Sequence, residues 1–311
     1  ALSGAPVVSP SVARAGATVT VTFETTEPMG DNLPIVKVGD AMLSGSALPG
    51  NAFEFGYMVE GTDADGEKAI AITLVDPAGN ETAGLDGGRF TVDSTAPTAT
   101  ATAMNAGPYR SPTGAEADIV LSFSFKTSEE LDPGAGQVFL HIKDAGTAQC
   151  PTGKSKEFTC TFTMPRDRAT KDPMEGLRIV MVELHDDAGN INGVDFGAVF
   201  FDFTAPSVSS AKPGQTAHKL DDAIMYTVNA SELLTGRPVV RVFKGGVEQV
   251  GFLDAPVQET DTIFTYAKAV VSGMDGTYTV TVDLADKAGN TAPGLAGTGW
   301  SVDASTPSVI T

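Results

Sequence analysis

The stretch Asp76-Pro-Ala-Gly-Asn80 recurs as Asp186-Asp-Ala-Gly-Asn190 and as Asp286-Lys-Ala-Gly-Asn290. The copies stand 110 and 100 residues apart, which is the period of a repeated structural unit. In each copy the Asp can accept backbone N–H groups and the Gly can take a positive φ, so the stretch predicts a tight turn between two strands.

Strands with alternating apolar residues surround this turn in every repeat. Apolar residues stand six, four and two positions before the turn aspartate. An earlier strand alternates in the same way, and a glutamate follows four residues after its last apolar member. Period two is the pattern of half-buried strands. The later strands carry Ile70, Ile72 and Leu74, then Val180, Val182 and Leu184, then Val280, Val282 and Leu284; the earlier strands carry Val19, Val21 and Phe23, then Leu121, Phe123 and Phe125, then Ile224, Tyr226 and Val228; the glutamates are Glu27, Glu129 and Glu232.

Each repeat ends in a short linker that contains an aspartate and, four residues later, a proline. The pairs are Asp93 and Pro97, Asp202 and Pro206, and Asp303 and Pro307. These linkers divide the 311 residues into predicted domains 1–96, 97–205 and 206–306, with 307–311 as the start of a further linker or strand. Because the last linker stands near the chain end, we expect a piece of a longer tandem array.

Repeats of about 100 residues, each with some seven short strands and no helical period, predict an all-β fold of three antiparallel β-sandwiches with Greek-key connections. The ordered motifs Val19-Thr-Val-Thr-Phe23, acid–Gly (Asp65-Gly66) and Asp-x-Ala-Gly-Asn, with the linkers after them, resemble the bacterial immunoglobulin-like (Ig-like) domains of large repetitive surface adhesins, of the biofilm-associated and RTX-adhesin type. The resemblance implies tandem Ig-like domains that form an extracellular, rod-like stalk on the bacterial cell surface, often stiffened by calcium.

Composition and charge exclude several other functions. Lys plus Arg is 20 and Asp plus Glu is 39, a net charge of −19, so binding to nucleic acid or to an anionic membrane surface is not expected. No apolar run is long enough for a membrane helix, so no membrane insertion is expected. The three histidines, His141, His185 and His218, stand at unrelated positions and suggest no catalytic triad, so we expect no enzymatic activity.

The topology of an Ig-like sandwich brings acids from neighbouring repeats together. The loop after the early strand and the Asp-x-Ala-Gly-Asn turn lie at the pole where the incoming linker arrives. Three carboxylates there repel one another, and calcium, which takes about 6–8 oxygen ligands, would cancel that repulsion. The candidate ligands are Asp93, Glu129, Asp186, Asp187 and Asn190 at the first junction, Asp202, Glu232, Asp286 and Asn290 at the second, and Glu27, Asp76 and Asn80 at the same pole of the first repeat.

A purely structural turn is the alternative at each of these places. The Asp of the turn can serve only its own backbone, and the Glu can be solvated or accept a loop N–H. The sequence leaves both interpretations open.

The two cysteines, Cys150 and Cys160, have no third or fourth ligand for a metal. A disulfide across a hairpin is the favoured interpretation, with two reduced, buried thiols as the alternative. The segment between them carries Lys154 and Lys156 and is a candidate contact loop.

A non-enzymatic stalk or adhesion segment is the favoured function. Its partners would be the neighbouring Ig-like domains of the array and a protein or glycan surface ligand. Two alternatives remain: a self-assembling fibre or surface-layer subunit that donates Pro307–Thr311 as a strand, and an accessory ligand-binding module of a secreted enzyme, such as a sugar binder. The second needs an exposed aromatic platform, whereas the position of Trp300 in its last strand predicts a core residue.

Overall fold

Residues 1–166 and 172–305 are described by a computed structural model of the chain. Six antiparallel or mixed sheets account for nearly all of the regular structure, and the helical elements in the described residues are the 3-10 turns Pro133–Ala135 and Asp172–Met174. The predicted all-β class is confirmed. No helix in these two ranges has the length and apolar character needed to cross a bilayer.

The first sandwich consists of a four-stranded and a five-stranded sheet. Its strands are β1 (Val7–Ser9), β2 (Val12–Ala13), β3 (Thr18–Glu24), β4 (Ile35–Val38), β5 (Ala41–Met42), β6 (Ser44–Leu48), β7 (Ala52–Met58), β8 (Gly66–Val75) and β9 (Glu81–Val92). The strand orders are β1-β3-β7-β6 and β2-β9-β8-β4-β5.

The second sandwich consists of a three-stranded and a four-stranded sheet. Its strands are β10 (Ala99–Met104), β11 (Val120–Leu131), β12 (Val138–Ile142), β13 (Gly146–Ala148), β14 (Ser155–Thr163), β15 (Gly176–His185) and β16 (Ile191–Phe201). The strand orders are β10-β11-β14 and β13-β12-β15-β16.

The third sandwich repeats the plan of the first. Its strands are β17 (Val208–Pro213), β18 (Ala217–Lys219), β19 (Ala223–Ala230), β20 (Val239–Lys244), β21 (Val247–Glu248), β22 (Pro256–Glu259), β23 (Ile263–Ala269), β24 (Gly276–Ala285) and β25 (Thr291–Asp303). The strand orders are β17-β19-β23-β22 and β18-β25-β24-β20-β21.

One buried cluster lies between the two sheets of each sandwich. The alternating positions singled out in the sequence supply much of each cluster: Val21 and Ile72, Phe123 and Val182, and Tyr226 and Val282 are all buried. Strands of two packed sheets turn every second side chain inward, so this burial follows from the period-two pattern.

A short parallel pairing joins the beginning and the end of each sandwich. β2 pairs with β9, and β18 with β25, while in the second sandwich the pairing is the single bridge between Tyr109 and Phe201. The parallel contact fixes the last strand, and with it the linker aspartate, against the start of the same sandwich. The domain bounds 1–96, 97–205 and 206–306 stay a prediction, and 307–311 lies outside the described residues.

Candidate metal sites at the domain junctions

Three carboxylates converge where the first sandwich meets the second. Asp93 follows the last residue of β9, Glu129 lies in β11, and Asp186 follows β15. One oxygen from each lies within 4.8 Å of the others. Calcium binds oxygens at 2.3–2.6 Å, so oxygens on opposite sides of the ion stand up to about 5 Å apart. The carboxylate oxygens therefore fit within one calcium coordination sphere.

The junction between the second and third sandwiches repeats this arrangement. Asp202 follows β16, Glu232 comes two residues after β19, and Asp286 follows β24. One oxygen from each again lies within 4.8 Å of the others, and Asp286 is buried. We call these two groups of three the junction acids. Every donor is a hard carboxylate oxygen, the ligand type that suits calcium.

The turn asparagines connect each turn to the preceding linker. Asn190 donates its backbone N–H to Oδ1 of Asp186 at 2.8 Å, and its Nδ2 to Oδ2 of Asp186 at 2.8 Å and to the main-chain oxygen of Asp93 at 2.9 Å. Asn290 makes the same bonds to Asp286 and to the oxygen of Asp202. The side-chain amide nitrogen of each asparagine thus faces the carboxylate of the turn aspartate. Through its second hydrogen bond the asparagine connects the turn directly to the linker.

Burial and mutual repulsion raise the pKa of several junction acids. Desolvation is the largest cause for Asp93 and Glu129, and the charge of Asp186 adds to it in both. At the second junction desolvation again raises the pKa of Asp202 and Glu232, and the charge of Asp286 adds to it. Their anionic forms are therefore destabilised in the absence of a cation.

The acids of the acid–Gly turns hold the linkers, a role that the sequence analysis missed. Asp65 Oδ1 accepts the backbone N–H of Ser94 at 2.8 Å, and Glu175 Oε2 accepts that of Phe203 at 2.9 Å. Asp275 Oδ1 accepts the N–H of Ala304 at 2.7 Å in the third sandwich. The signal for this role was a constant spacing of 27 or 28 residues between each acid and the linker aspartate.

At the two junctions an arginine of the preceding sandwich lies over the turn glycine of the next. A Cβ placed on Gly289 would stand 3.1 Å from Nε of Arg110, and one on Gly189 would stand 3.7 Å from Nε of Arg14. Arg110 is held in place by Glu116, which accepts from its guanidinium at 2.8 and 3.0 Å. Glycine is thus favoured at both positions by the positive φ, and at Gly289 also by the close approach of Arg110.

The other candidate ligands lie outside the two groups. Asp187 accepts from Gln137 Nε2 at 2.6 Å and pairs with Lys154 at 3.4 Å. In the first sandwich Asp76 binds Asn80 as its counterparts do, and these hydrogen bonds lower the pKa of Asp76. Within the described ranges, Glu27 and Asp76 belong to no group of three convergent acids.

A disulfide joins Cys150 and Cys160, which confirms the favoured interpretation of the two cysteines. The hairpin that it closes lies beside the first junction. Lys154 pairs with Asp187, and Lys156 donates to the main-chain oxygen of Ser128 at 3.0 Å. The charge of Lys156 also partly offsets the rise in the pKa of Glu129.

The positions of the aromatic and histidine residues agree only in part with the predictions from the sequence. Trp300 is buried and stacks on Tyr278, as its position predicts, so it offers no platform for a sugar. The expectation that the histidines are unrelated was wrong for two of them, because His141 and His185 both lie against the ring of Phe139. Strand pairing brings them together across 44 residues of sequence, which residue spacing alone does not reveal.

No protein-family model matches the chain, and no curated protein matches it. Among solved structures, the chain is similar to an adhesin of an Antarctic bacterium, described as Ca2+-stabilized and as helping the bacterium to reach out and bind ice (17% identity, 98% of this chain, 75% of that chain, TM-score 0.45). It is also similar to a structure concerned with host cell surface retention of a 1.5-MDa bacterial ice-binding adhesin (14% identity, 97% of this chain, 99% of that chain, TM-score 0.41). A further similar structure is an I-band fragment of titin (11% identity, 98% of this chain, 98% of that chain, TM-score 0.41).

The resemblance to bacterial adhesin domains thus has counterparts among solved structures. At these identities the likeness concerns the fold, which the strand orders themselves identify as tandem Ig-like sandwiches.

Proposed function

We propose that the chain is a non-enzymatic stalk or adhesion segment of a bacterial surface protein, and that calcium bound by the junction acids stiffens it. The observation that carries the proposal is the same at both junctions: a linker aspartate, a glutamate at or just after the end of an early strand, and a turn aspartate bring their oxygens within 4.8 Å of one another. A divalent cation is the simplest charge partner for such a set.

Stiffening follows from which parts the ion would connect. The linker aspartate belongs mechanically to the preceding sandwich, since the N–H of Asp93 donates to the main-chain oxygen of Ala13 at 3.0 Å and the next residue is held by Asp65. Glu129 and Asp186 belong to the following sandwich. An ion bound by all three would restrict rotation about the linker.

The sequence and the shape of the units support a surface role. Strands of 10–13 residues, as in β8, β15 and β25, give each sandwich a length on the order of 30–40 Å. The net charge of −19 would keep an extended array soluble and self-repelling. An extracellular location also agrees with the disulfide, because disulfides persist in oxidising compartments.

Calorimetric titration of calcium into the metal-free chain tests the proposal. We expect two sites in the wild-type protein and one in each of the variants Asp186→Asn and Asp286→Asn. Asp76→Asn is the matched control, because Asp76 makes the same turn without two further acids beside it among the described residues. Thermal unfolding in chelator establishes that each variant is folded.

The outcomes separate the proposal from the purely structural turn. Calcium at 100 times its dissociation constant would stabilise the folded chain by about 2.7 kcal/mol per site. Absence of binding heat, together with an unchanged melting temperature, would mean that these loops are turns only. The same loss of binding in Asp76→Asn as in Asp286→Asn would show that calcium binds elsewhere.

A further inference from the structure

The outer side of one sheet in the second sandwich exposes a row of large apolar side chains. On β15, Leu177, Ile179 and Met181 are 64%, 46% and 44% exposed, and on the flanking strands Phe139 is 37% and Phe200 is 41% exposed. We call these five residues the apolar face. Exposed apolar residues are ordinary when scattered, but a contiguous set on one sheet marks an interaction surface.

Strand register makes this set continuous. Leu177 pairs with Phe200 across β15 and β16, and Met181 pairs with His141 across β15 and β12. The ring of Phe139 lies 6.2 Å from the ring of His141 on the same strand. The apolar side chains therefore form one surface across three neighbouring strands, with His141 and the exposed Asp195 on either side of Met181.

The other two sandwiches show that the fold does not require this surface. Leu177, Ile179 and Met181 stand nine, seven and five residues before the turn aspartate, and at these positions the first sandwich has small or charged residues and the third has threonines. The residue on the neighbouring strand that corresponds to His141 is Lys37 in the first sandwich and Arg241 in the third. Threonine suits a strand as well as the apolar residues do. The residues at the positions of Leu177, Ile179 and Met181 are Glu67, Ala69 and Ala71 in the first sandwich and Thr277, Thr279 and Thr281 in the third.

The size of the apolar face fits a weak interface. Large apolar side chains at these exposures present on the order of 400–500 Å² in total, within the range of about 300–600 Å² for the largest patch on a typical monomer, which is often functional. Two such faces in contact, with their rims, would bury on the order of 1,000 Å², the lower end for specific association. Flat sheet faces pack on one another at about 10 Å, as they do inside a sandwich.

The charges at the two ends of the face point to a second copy of this chain. Lys143 is exposed at one end, where its N–H donates to the oxygen of Ile179, and Glu183 lies at the other end beside His185. The pair His141 and Met181 lies midway between them. A two-fold arrangement about this midpoint would place Lys143 of each copy against Glu183 of the other.

We propose that two copies of this chain pair side by side through the apolar faces of their second sandwiches. The net charge of −19 on each chain opposes this association, so it is weak in dilute solution. Copies tethered to one surface at high local density would pair readily, as linked binding partners do. The proposal does not depend on calcium at the junctions.

Sedimentation equilibrium of the full chain over a range of concentrations, in chelator and again in calcium, tests it. We expect a monomer–dimer equilibrium under both conditions. Replacing Leu177, Ile179 and Met181 together by Thr, as the third sandwich has, should weaken dimerisation at least about tenfold. The control replaces three exposed valines of the third sandwich, Val247, Val250 and Val257, by Thr and should leave dimerisation unchanged.

Charge reversal tests the two-fold arrangement itself. Lys143→Glu alone and Glu183→Lys alone should each lose the dimer, because like charges then face each other, whereas mixing the two variants should restore it. A monomer at every concentration, or a dimer that survives the triple Thr change, would overturn the proposal. Loss of the dimer in both single variants without rescue on mixing would overturn the two-fold arrangement.

Discussion

Removing one negative charge from the second junction should stabilise the third sandwich against unfolding without calcium and destabilise it with calcium. Glu232→Gln keeps the size of the side chain but removes its repulsion with Asp202 and Asp286, whose oxygens lie within 4.8 Å. At that distance each pair of unit charges costs about 0.9 kcal/mol in water and about 3.5 kcal/mol near a protein surface. Because Glu232 is still partly in contact with water, we take the lower value for each of its two pairs and expect about 2 kcal/mol of stabilisation in chelator.

In calcium the change in melting temperature has the opposite sign, because the variant lacks one of the three carboxylate ligands and binds the ion more weakly. In chelator the third sandwich should melt roughly 4 °C or more above the wild type. In saturating calcium it should melt below the wild type. The fluorescence of Trp300, the one tryptophan of the chain, reports unfolding of this sandwich because its side chain is buried there.

Glu27→Gln provides the matched control. Glu27 occupies the same position in the first sandwich, but it belongs to no group of three acids among the described residues. Its replacement, followed by calorimetric melting of the whole chain because Trp300 reports only the third sandwich, should leave the melting of the first sandwich unchanged with and without calcium. A melting temperature of Glu232→Gln equal to the wild type in chelator would refute the repulsion argument, and equality in calcium would refute the ligand role of Glu232.

Three further changes test other parts of the account. Gly289→Ala and Gly79→Ala should each cost about 1–2 kcal/mol for the positive φ, and Gly289→Ala should cost more than Gly79→Ala, since its Cβ would stand 3.1 Å from Nε of Arg110. Replacing Cys150 and Cys160 by Ala should lower the free energy of unfolding by about 3 kcal/mol, the value for a closed loop of 10 residues. The junction acids with a raised pKa bind protons more tightly when folded, so lowering the pH from about 7 to about 5 should stabilise the metal-free junctions and weaken calcium binding.

Each of these has a measurement and a contrary result. Thermal unfolding in chelator compares the two glycine variants, and an equal loss of stability would remove the added cost assigned to the contact with Arg110. Denaturant unfolding measures the disulfide, and an unchanged midpoint would show that the hairpin unfolds independently of the sandwich. Thermal melting in chelator at both pH values tests the protonation argument, which fails if stability rises steadily with pH through that interval.

The sequence was sufficient to predict the fold and the convergence of acids at the poles. Strand alternation depends only on period two, and a motif that recurs three times fixes which loops share a pole. Asp93 and Asp186 stand 93 residues apart, yet the topology of one sandwich following another brings their oxygens together. No knowledge of the detailed register was needed for that inference.

The remaining contacts depend on register or on docking across the junction. The acid–Gly turns are complete as local turns, so only their spacing of 27 or 28 residues to the linker aspartate marked the hydrogen bond that Asp65 accepts from the N–H of Ser94. Arg110 reaches Gly289 only because two sandwiches meet end to end. His141 and His185 lie beside the same ring, that of Phe139, because β12 pairs with β15. The spacing of the residues in the sequence does not determine that pairing.

Small-angle X-ray scattering of the intact chain in chelator and in calcium tests the central claim most directly. The account predicts that calcium converts a bending chain into a straighter rod, with a maximum dimension approaching about 90–120 Å for three units of 30–40 Å. The double variant Asp186→Asn and Asp286→Asn should keep the calcium-free curve under both conditions. Identical scattering of the wild-type protein with and without calcium would contradict stiffening of the junctions.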